Sequence, residues 1–217
     1  MDEYYPERIP DEGVDTYTKI AEYAGMEFYR NVARDIAKLN PKILLDIGTG
    51  PGILLAEILK LVNCFCIGID CTEKFKNYVK YYTNGKAEFL VADAYFLPFD
   101  NCVFDVVVST GVLHDLKFPE RFFEEIYRVL KNGGYALIKD PTPLRLSLEE
   151  ARRFLSDEEF EIFKAHKDFE LKVFGTDIPW TFSEEEVKLI LRNSNTNFEY
   201  LEIKKEKGVL TLLLKKI

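Results

Sequence analysis

Glutamine is missing from this chain of 217 residues, histidine occurs twice, tryptophan once and cysteine four times. Each scarcity narrows the field. Cys64 and Cys66 alternate within a strand-like run and have no histidine nearby, which is poor zinc spacing. With Cys71 and Cys102 they read as reduced, structural thiols. No apolar run approaches the roughly 20 residues of a membrane-crossing helix, so no membrane partner is expected. Long Lys/Arg clusters are also absent, and the net charge is -8. That opposes nucleic acid as the main partner, because phosphate contacts need a basic face. Met1-Asp2-Glu3-Tyr4-Tyr5 is acidic and polar, unlike a signal peptide, so the cytosol is the expected compartment. The absence of glutamine beside abundant Lys, Glu and Ile suits a thermophile, although ten asparagines oppose that reading.

What is present suffices for a core. Hydrophobic residues make up 47% and aromatics 14%, enough to fold without disulfide or metal. The length fits a single domain, 1–217. Residues 1–13 read as an irregular arm, and 14–38 as a helix whose apolar stripe includes Phe28, Val32 and Ile36. Asn40-Pro41 closes it, so 1–40 forms an amino-terminal arm. Strands are expected at 43–47, 65–69, 87–91, 104–109 and 134–140, with helices at about 52–62, 72–83 and 119–131. This β-α alternation predicts an α/β fold, a parallel sheet with helices on both faces. Residues 141–182 break the pattern with Pro141, Pro143 and Pro179 around an amphipathic helix at 147–168, and read as a small helical lid. Phe154, Leu155, Phe160, Phe163 and Phe169 are its apolar positions. Ser183 with Glu186 forms a capping box, and strands at 197–204 and 208–216 form an antiparallel hairpin joined at Lys207-Gly208.

The run Ile43-Leu-Leu-Asp46-Ile-Gly48-Thr49-Gly50-Pro51-Gly52-Ile53 is a strand, a glycine turn and a helix start. A ligand there meets bare backbone at a helix N-terminus. A P-loop needs Lys-Ser/Thr after the last glycine, and Ile53-Leu54 stands there instead. A dinucleotide fingerprint needs a third glycine at 53. Pro51 also removes a backbone N–H. Asp46, Asp70 and Asp93 each fall at or just after a strand end, with no Lys or Arg among them. They suit a ligand carrying an ammonium, a sulfonium and ribose hydroxyls.

Asp46-Ile-Gly-Thr-Gly-Pro-Gly52 resembles the first motif of class I S-adenosylmethionine-dependent methyltransferases. Gly68-Ile-Asp70, Ala92-Asp93-Ala94, Phe104-Asp105 through His114 and Arg128 through Gly134 resemble the later motifs, in the right order. The nearest flavour is the small-molecule group that includes quinone-biosynthesis methyltransferases. The resemblance implies a Rossmann-like seven-stranded sheet, mostly parallel with a C-terminal antiparallel hairpin. It implies S-adenosylmethionine as cofactor and S-adenosylhomocysteine as product. By the family pattern Asp46, Gly48, Thr49, Gly50 and Gly52 hold the methionine part, and Asp70 the ribose. Cys71, Asp93 and Ala94 lie at the adenine, and Ser109 near the sulfonium. Tyr17 or Tyr29 of the first helix is expected to touch the cofactor.

Each residue has a plainer reading beside this one. Asp46 and Asp93 are also ordinary turn carboxylates, and Asp70 a helix cap. His114, followed by Asp115, suits a general base, but a histidine in such a turn also serves packing. His166 falls on the lid helix and is expected to face solvent. Phe75, Tyr78 and Tyr82 share helical spacing and read as a core face. Trp180 lines a pocket or anchors the lid. Arg145, Arg152 and Arg153 suit an anionic apolar acceptor or simply a solvated helix face. Ser109-Thr110-Gly111-Val112 is not Asn/Asp-Pro-Pro-Tyr/Phe, which disfavours adenine or glutamine amino groups as acceptors. The absence of Pro-Cys there disfavours carbon-5 of cytosine. A small-molecule acceptor is expected. RNA is the alternative acceptor, and a nicotinamide-dependent oxidoreductase or a non-catalytic cofactor-binding protein the alternatives of other classes.

Overall fold

The computed structural model describes residues 8–141, 148–154, 157, 160, 161, 164, 167, 168, 182–206 and 208–217. Tyr4, Tyr5, Pro143, Arg145, Leu155, Phe163, His166, Phe169, Pro179, Trp180 and Lys207 lie outside the described residues.

A one-turn 3-10 helix at Asp11–Gly13 leads into helix α1 (Val14–Leu39). α1 stops where Asn40 turns left-handed at φ 47°, a conformation asparagine tolerates better than most residues. Strand and helix then alternate: β1 (Ile43–Ile47), α2 (Ile53–Leu61), β2 (Phe65–Asp70), α3 (Phe75–Tyr82), β3 (Ala87–Val91) and β4 (Phe104–Thr110). A short 3-10 turn at Leu113–Asp115 precedes α4 (Pro119–Val129) and β5 (Leu130–Pro141). α5 (Leu148–Phe154), α6 (Glu184–Asn193), β6 (Phe198–Glu206) and β7 (Val209–Lys216) complete the order. The seven strands form one sheet, β3-β2-β1-β4-β5-β7-β6, in which β7 runs antiparallel to both β5 and β6. This is the expected Rossmann-like arrangement. The strand order reverses between β1 and β4, where such sheets open a crevice at their carboxyl ends.

Each face of the sheet is covered. Val32, Ala33 and Ile36 of α1 and Leu54, Leu55 and Ile58 of α2 pack on Leu44, Val106 and Val108. On the other face Phe122, Phe123 and Ile126 of α4 meet Leu45, Ile47 and Val107. Burial of side chains of this size stabilises a fold by about 1.5–3 kcal/mol each before entropy is counted. The capping box forms as expected: Ser183 Oγ accepts the Glu186 N–H at 3.2 Å, and Glu186 Oε2 accepts the Ser183 N–H at 2.7 Å.

Two boundaries differ from the sequence expectation. α3 starts at Phe75 rather than 72, because Thr72 is engaged elsewhere: its N–H donates to Asp70 Oδ1 at 2.9 Å and its hydroxyl to Ile9 O at 2.8 Å. Of the expected aromatic face of α3, Phe75 is buried while Tyr78 and Tyr82 are half-buried, and Val79 completes the core contact. β5 starts at Leu130, not 134. Leu130 pairs with Phe104, and the register then jumps to Val106 against Tyr135. The expected helix stop at Asn132-Gly133 is thus a bulge inside a strand.

The loop after β3, which carries Asp93, is fastened to α4 by Arg128. Its guanidinium donates to the carbonyls of Leu97 (2.9 Å) and Phe99 (2.7 Å) and to both carboxylate oxygens of Glu125 (2.7 and 2.8 Å). Glu125 Oε2 also accepts the Leu97 N–H at 2.7 Å. A planar fork serves all of these at once, and an ammonium does not. We expect Arg128→Ala to lower stability by about 2 kcal/mol in urea denaturation, and Arg128→Lys to recover less than half of that. Equal stability of Arg128→Lys and the parent chain would show that the fork geometry is idle.

Candidate active site

β1 pairs in parallel with β2 and β4, in a register that sets Asp46 beside Gly68 and Val108. The strand ends therefore stand level. Past the end of β1, the N–H groups of Gly48 and Thr49 both donate to Ile69 O at 2.9 Å, and the Gly52 N–H returns to Thr49 O at 2.9 Å. Two of the turn's glycines are required. Gly48 has φ +69°, and a Cβ there would sit 2.2 Å from Val112 Cγ2. Gly52 has φ +79°, and its Cβ would meet Val79 Cγ2 at 3.0 Å. Side chains at either place would be strained and would push the turn off its neighbours.

The carboxylates are placed differently from one another. Asp70, half-buried, accepts the Gly50 N–H at 3.0 Å on Oδ2 and the Thr72 N–H on Oδ1. Burial raises its carboxyl above the usual range, and these backbone bonds pull it back. Asp93 Oδ1 accepts the Tyr95 N–H at 2.8 Å, an Asx turn. Asp46 is only 1% exposed. Its Oδ2 accepts from the Thr49 hydroxyl at 2.8 Å, while Oδ1 has no hydrogen-bond partner among the described residues. Burial pushes the Asp46 carboxyl up to about 7, with the Asp70 charge adding to the rise and the Thr49 bond opposing it. An orphaned buried oxygen of this kind is where a cationic or hydrogen-bond-donating ligand would be welcome.

A cavity of about 340 Å³ opens at these strand ends. Gly48, Gly50, Asp70, Cys71, Asp93 and Ala94, all named from the sequence as candidate cofactor contacts, line it. Asp46, Thr49 and Gly52 stand behind the lining rather than in it. Ser109 is fully buried and donates its hydroxyl to Ile47 O at 2.8 Å, so it ties β4 to β1 and does not line the cavity. Tyr29 is also absent from the lining; its ring packs edge-on against Phe28 at 5.7 Å. Burial and the nearby Asp46 charge push its hydroxyl up to about 12. Tyr17, one face of α1 away, lines the cavity instead. Its hydroxyl is held well above its usual range by burial first, then by Tyr29, Asp70, Asp115 and Asp46. His114 is half-buried and not among the lining residues, with Nδ1 2.9 Å from Asp140 Oδ1.

Sequence reasoning missed Arg8, Val112 and Asp140. Arg8 lies in the irregular arm, and no periodicity marks it. Asp140 closes β5 as Asp46 closes β1, and the same strand-end rule applied to β5 would have found it. Among the described lining residues Arg8 is the one cation, facing Asp70, Asp93 and Asp115. The wall thus favours a ligand that brings positive charge.

Residues 45–138 match the family described as a methyltransferase domain. A tRNA (carboxymethyluridine(34)-5-O)-methyltransferase of Arabidopsis thaliana is 36% identical over 99 residues, 44% of this chain and 23% of that protein. A demethylmenaquinone methyltransferase of Roseiflexus castenholzii is 32% identical over 92 residues, 42% of this chain and 39% of that one. The chain therefore spans less than half the length of these curated relatives. A TehB-like SAM-dependent methyltransferase from Corynebacterium glutamicum shares the fold over 96% of this chain and all of its own, with TM-score 0.65 and 18% identity. The matched segment contains the strands whose ends build the cavity, and over it this chain is similar to a methyltransferase domain.

Proposed function

We propose that the chain binds S-adenosylmethionine in this cavity and methylates a small-molecule acceptor, with S-adenosylhomocysteine as product. The observation that carries the reading is Asp70, seated on the end of β2 with its carboxylate joined to the glycine turn at Gly50. Such a carboxylate is a natural bidentate acceptor for two ribose hydroxyls. Following the family pattern, the Gly48–Gly52 turn with Asp46 would hold the methionine part, and Cys71, Asp93 and Ala94 the adenine. The orphaned Asp46 Oδ1 fits a ligand that brings an ammonium. Bound there, the cofactor supplies a methyl group already activated by its sulfonium. The chain's own task is to align the acceptor and keep water out.

The amino-terminal arm serves the second task. Ile9 O is bonded by Thr72, Asp11 O accepts from Lys74 Nζ at 3.0 Å, and Asp15 accepts from the Tyr78 hydroxyl at 2.8 Å. These bonds fasten the arm over the cavity, where Arg8 and Tyr17 face inward. We assign 1–217 to one domain, with 1–40 as an amino-terminal arm and 141–182 as a lid insertion. A small acceptor is preferred to RNA because the lining carboxylates and the net charge of -8 repel phosphates. Methylation of bulk tRNA, with no small molecule modified, would reverse that preference.

Calorimetry should show binding of S-adenosylmethionine and S-adenosylhomocysteine but not of NAD; NAD binding alone would overturn the reading. Asp70→Ala should weaken cofactor binding at least tenfold, about 1.4 kcal/mol, and unchanged affinity would remove the ribose role.

Asp46 gives a prediction in pH. Its folded carboxyl titrates at about 7 against the ordinary 3.8. Between those values the folded protein holds a proton that the unfolded chain has lost. The stability that Asp46 contributes to the empty protein is therefore fully present below about pH 4 and is lost, by a few kcal/mol, as pH rises through 7. Asp46→Asn removes the charge, so its stability gain should grow from pH 4.5 to 8. Cofactor affinity of the parent should rise over pH 6–8 as Asp46 ionises, and that slope should vanish in the variant. Thermal melts and calorimetry at three pH values check both, and a pH-independent difference would refute the assignment.

A further inference from the structure

At the end of the sheet opposite the cavity, β2 begins with a pair of thiols. Cys64 and Cys66 bring their sulfurs to 3.2 Å from each other, and neither lines the cavity. Cys66 is fully buried, held in register with Leu44 of β1 and Ala87 of β3. Cys64 is half-buried and precedes the strand by one residue, so the ladder that fixes Cys66 does not fix it. Residues two apart on an extended chain point to one face, their α-carbons about 6.7 Å apart. Disulfides span about 4.4–6.8 Å, which puts the pair at the upper edge of what one can bridge. The two thiols are also unlike. The Cys66 S–H donates to Cys64 and holds the Cys64 thiol below the usual range, against the effect of burial. That bond and then burial push the Cys66 thiol far above it. The other two cysteines stand in different company. Cys71 is pushed up to about 11 by burial and by Asp70, and Cys102 has Lys216 Nζ at 3.6 Å rather than a thiol.

We propose that Cys64 and Cys66 are a reversible oxidation site, closed to a disulfide by a hydroperoxide, with Cys64 as the attacking thiol and Cys66 as the resolving one. The site stands apart from the methyltransferase reading, because the pair lies outside the cavity. The exchange balances. The Cys64 thiolate attacks one peroxide oxygen, the oxygen–oxygen bond breaks, and the leaving oxygen departs as water with the proton that Cys64 gave up. Cys64 is then a sulfenic acid. The Cys66 sulfur, already in contact, attacks the Cys64 sulfur; the sulfur–oxygen bond breaks, and its oxygen leaves as water with the Cys66 proton. The two sulfurs lose two electrons and the peroxide gains them. Exposure and thiolate character decide which thiol is attacked first, and Cys64 exceeds Cys66 in both. Cys64, outside the ladder, makes the small movement that closes the bond, and Cys66 keeps its register. A disulfide at the edge of the allowed span is of the kind that a dithiol reductant reopens readily.

The test treats the reduced full chain with hydrogen peroxide, blocks remaining thiols with iodoacetamide and reads the peptides by mass spectrometry. Trypsin releases residues 61–74, which carry Cys64, Cys66 and Cys71. That peptide is expected to lose two hydrogens and to take the alkyl group at Cys71 alone. Dithiothreitol before blocking should restore alkylation at all three. Cys71→Ser and Cys102→Ser should leave the loss of two hydrogens intact, and Cys64→Ser and Cys66→Ala should each abolish it. In Cys66→Ala the sulfenic acid is stranded, so dimedone should label Cys64 at least about tenfold faster than it labels Cys66 in Cys64→Ser. Cys66→Val takes the place of Cys66→Ala if the smaller side chain lowers the melting temperature. Alkylation of both Cys64 and Cys66 after peroxide has oxidised Cys102 would overturn the proposal, as would a disulfide that includes Cys71. Faster dimedone labelling of Cys66 than of Cys64 would overturn the assignment of attacking and resolving thiols.

Discussion

The amides of Gly48 and Thr49 share a single acceptor, the Ile69 carbonyl, and the arrangement of the site follows from that pair. It locks the exit of β1 to the last residues of β2, and so sets the height at which Asp46 and Asp70 stand. From there Asp70 reaches back to Gly50 and forward to Thr72, and Thr72 reaches Ile9 in the arm. A chain of short bonds thus runs from the sheet to the cover over the cavity. The positive φ at Gly48 belongs to the same constraint, because only a bare α-carbon passes beneath Val112.

Around this frame the described residues concentrate negative charge. Three carboxylates line one cavity with one arginine, and a fourth, Asp46, is buried behind it. Such an arrangement destabilises the empty protein, in keeping with the general observation that functional sites depart from the stability optimum. The same electrostatics makes affinity for a cationic ligand and resistance to unfolding two expressions of one quantity. Whatever relieves the crowding of charge, a proton or a ligand, also tightens the fold.

Much of this was legible from sequence. Buried parallel strands announce themselves as apolar runs, and an acid at their end is conspicuous, which is why Asp46, Asp70 and Asp93 were found. What escaped notice depends on partners distant in the chain. The late start of α3 is decided by Ile9, 63 residues away from Thr72. The early start of β5 is decided by Phe104, which recruits Leu130 from what helical periodicity would claim. Tyr17 and Tyr29 occupy one helix, and nothing local tells which faces the cavity. The hydroxyl of Ser109, polar at a strand end, is spent on the Ile47 carbonyl, a bond no pattern of residue types reveals.

The place of β7 has a consequence for how the chain acquires its shape. It lies between β5 and β6, pairing Tyr135 with Lys215 and Ile138 with Leu212. β5 therefore waits for a neighbour synthesised some eighty residues later, while β1 to β4 can already pair among themselves. During synthesis β5 is a temporary open edge, with the apolar Ala136 and Ile138 uncovered on a sheet whose other half is complete. Lys216 then closes the assembly from the far end, its ammonium buried against the carbonyls of Tyr127 and Leu130 at 2.7 and 2.8 Å. The β5–β7 pairing is thus a contact between segments far apart in the chain, of the kind whose loop-closure entropy must be met before its hydrogen bonds form.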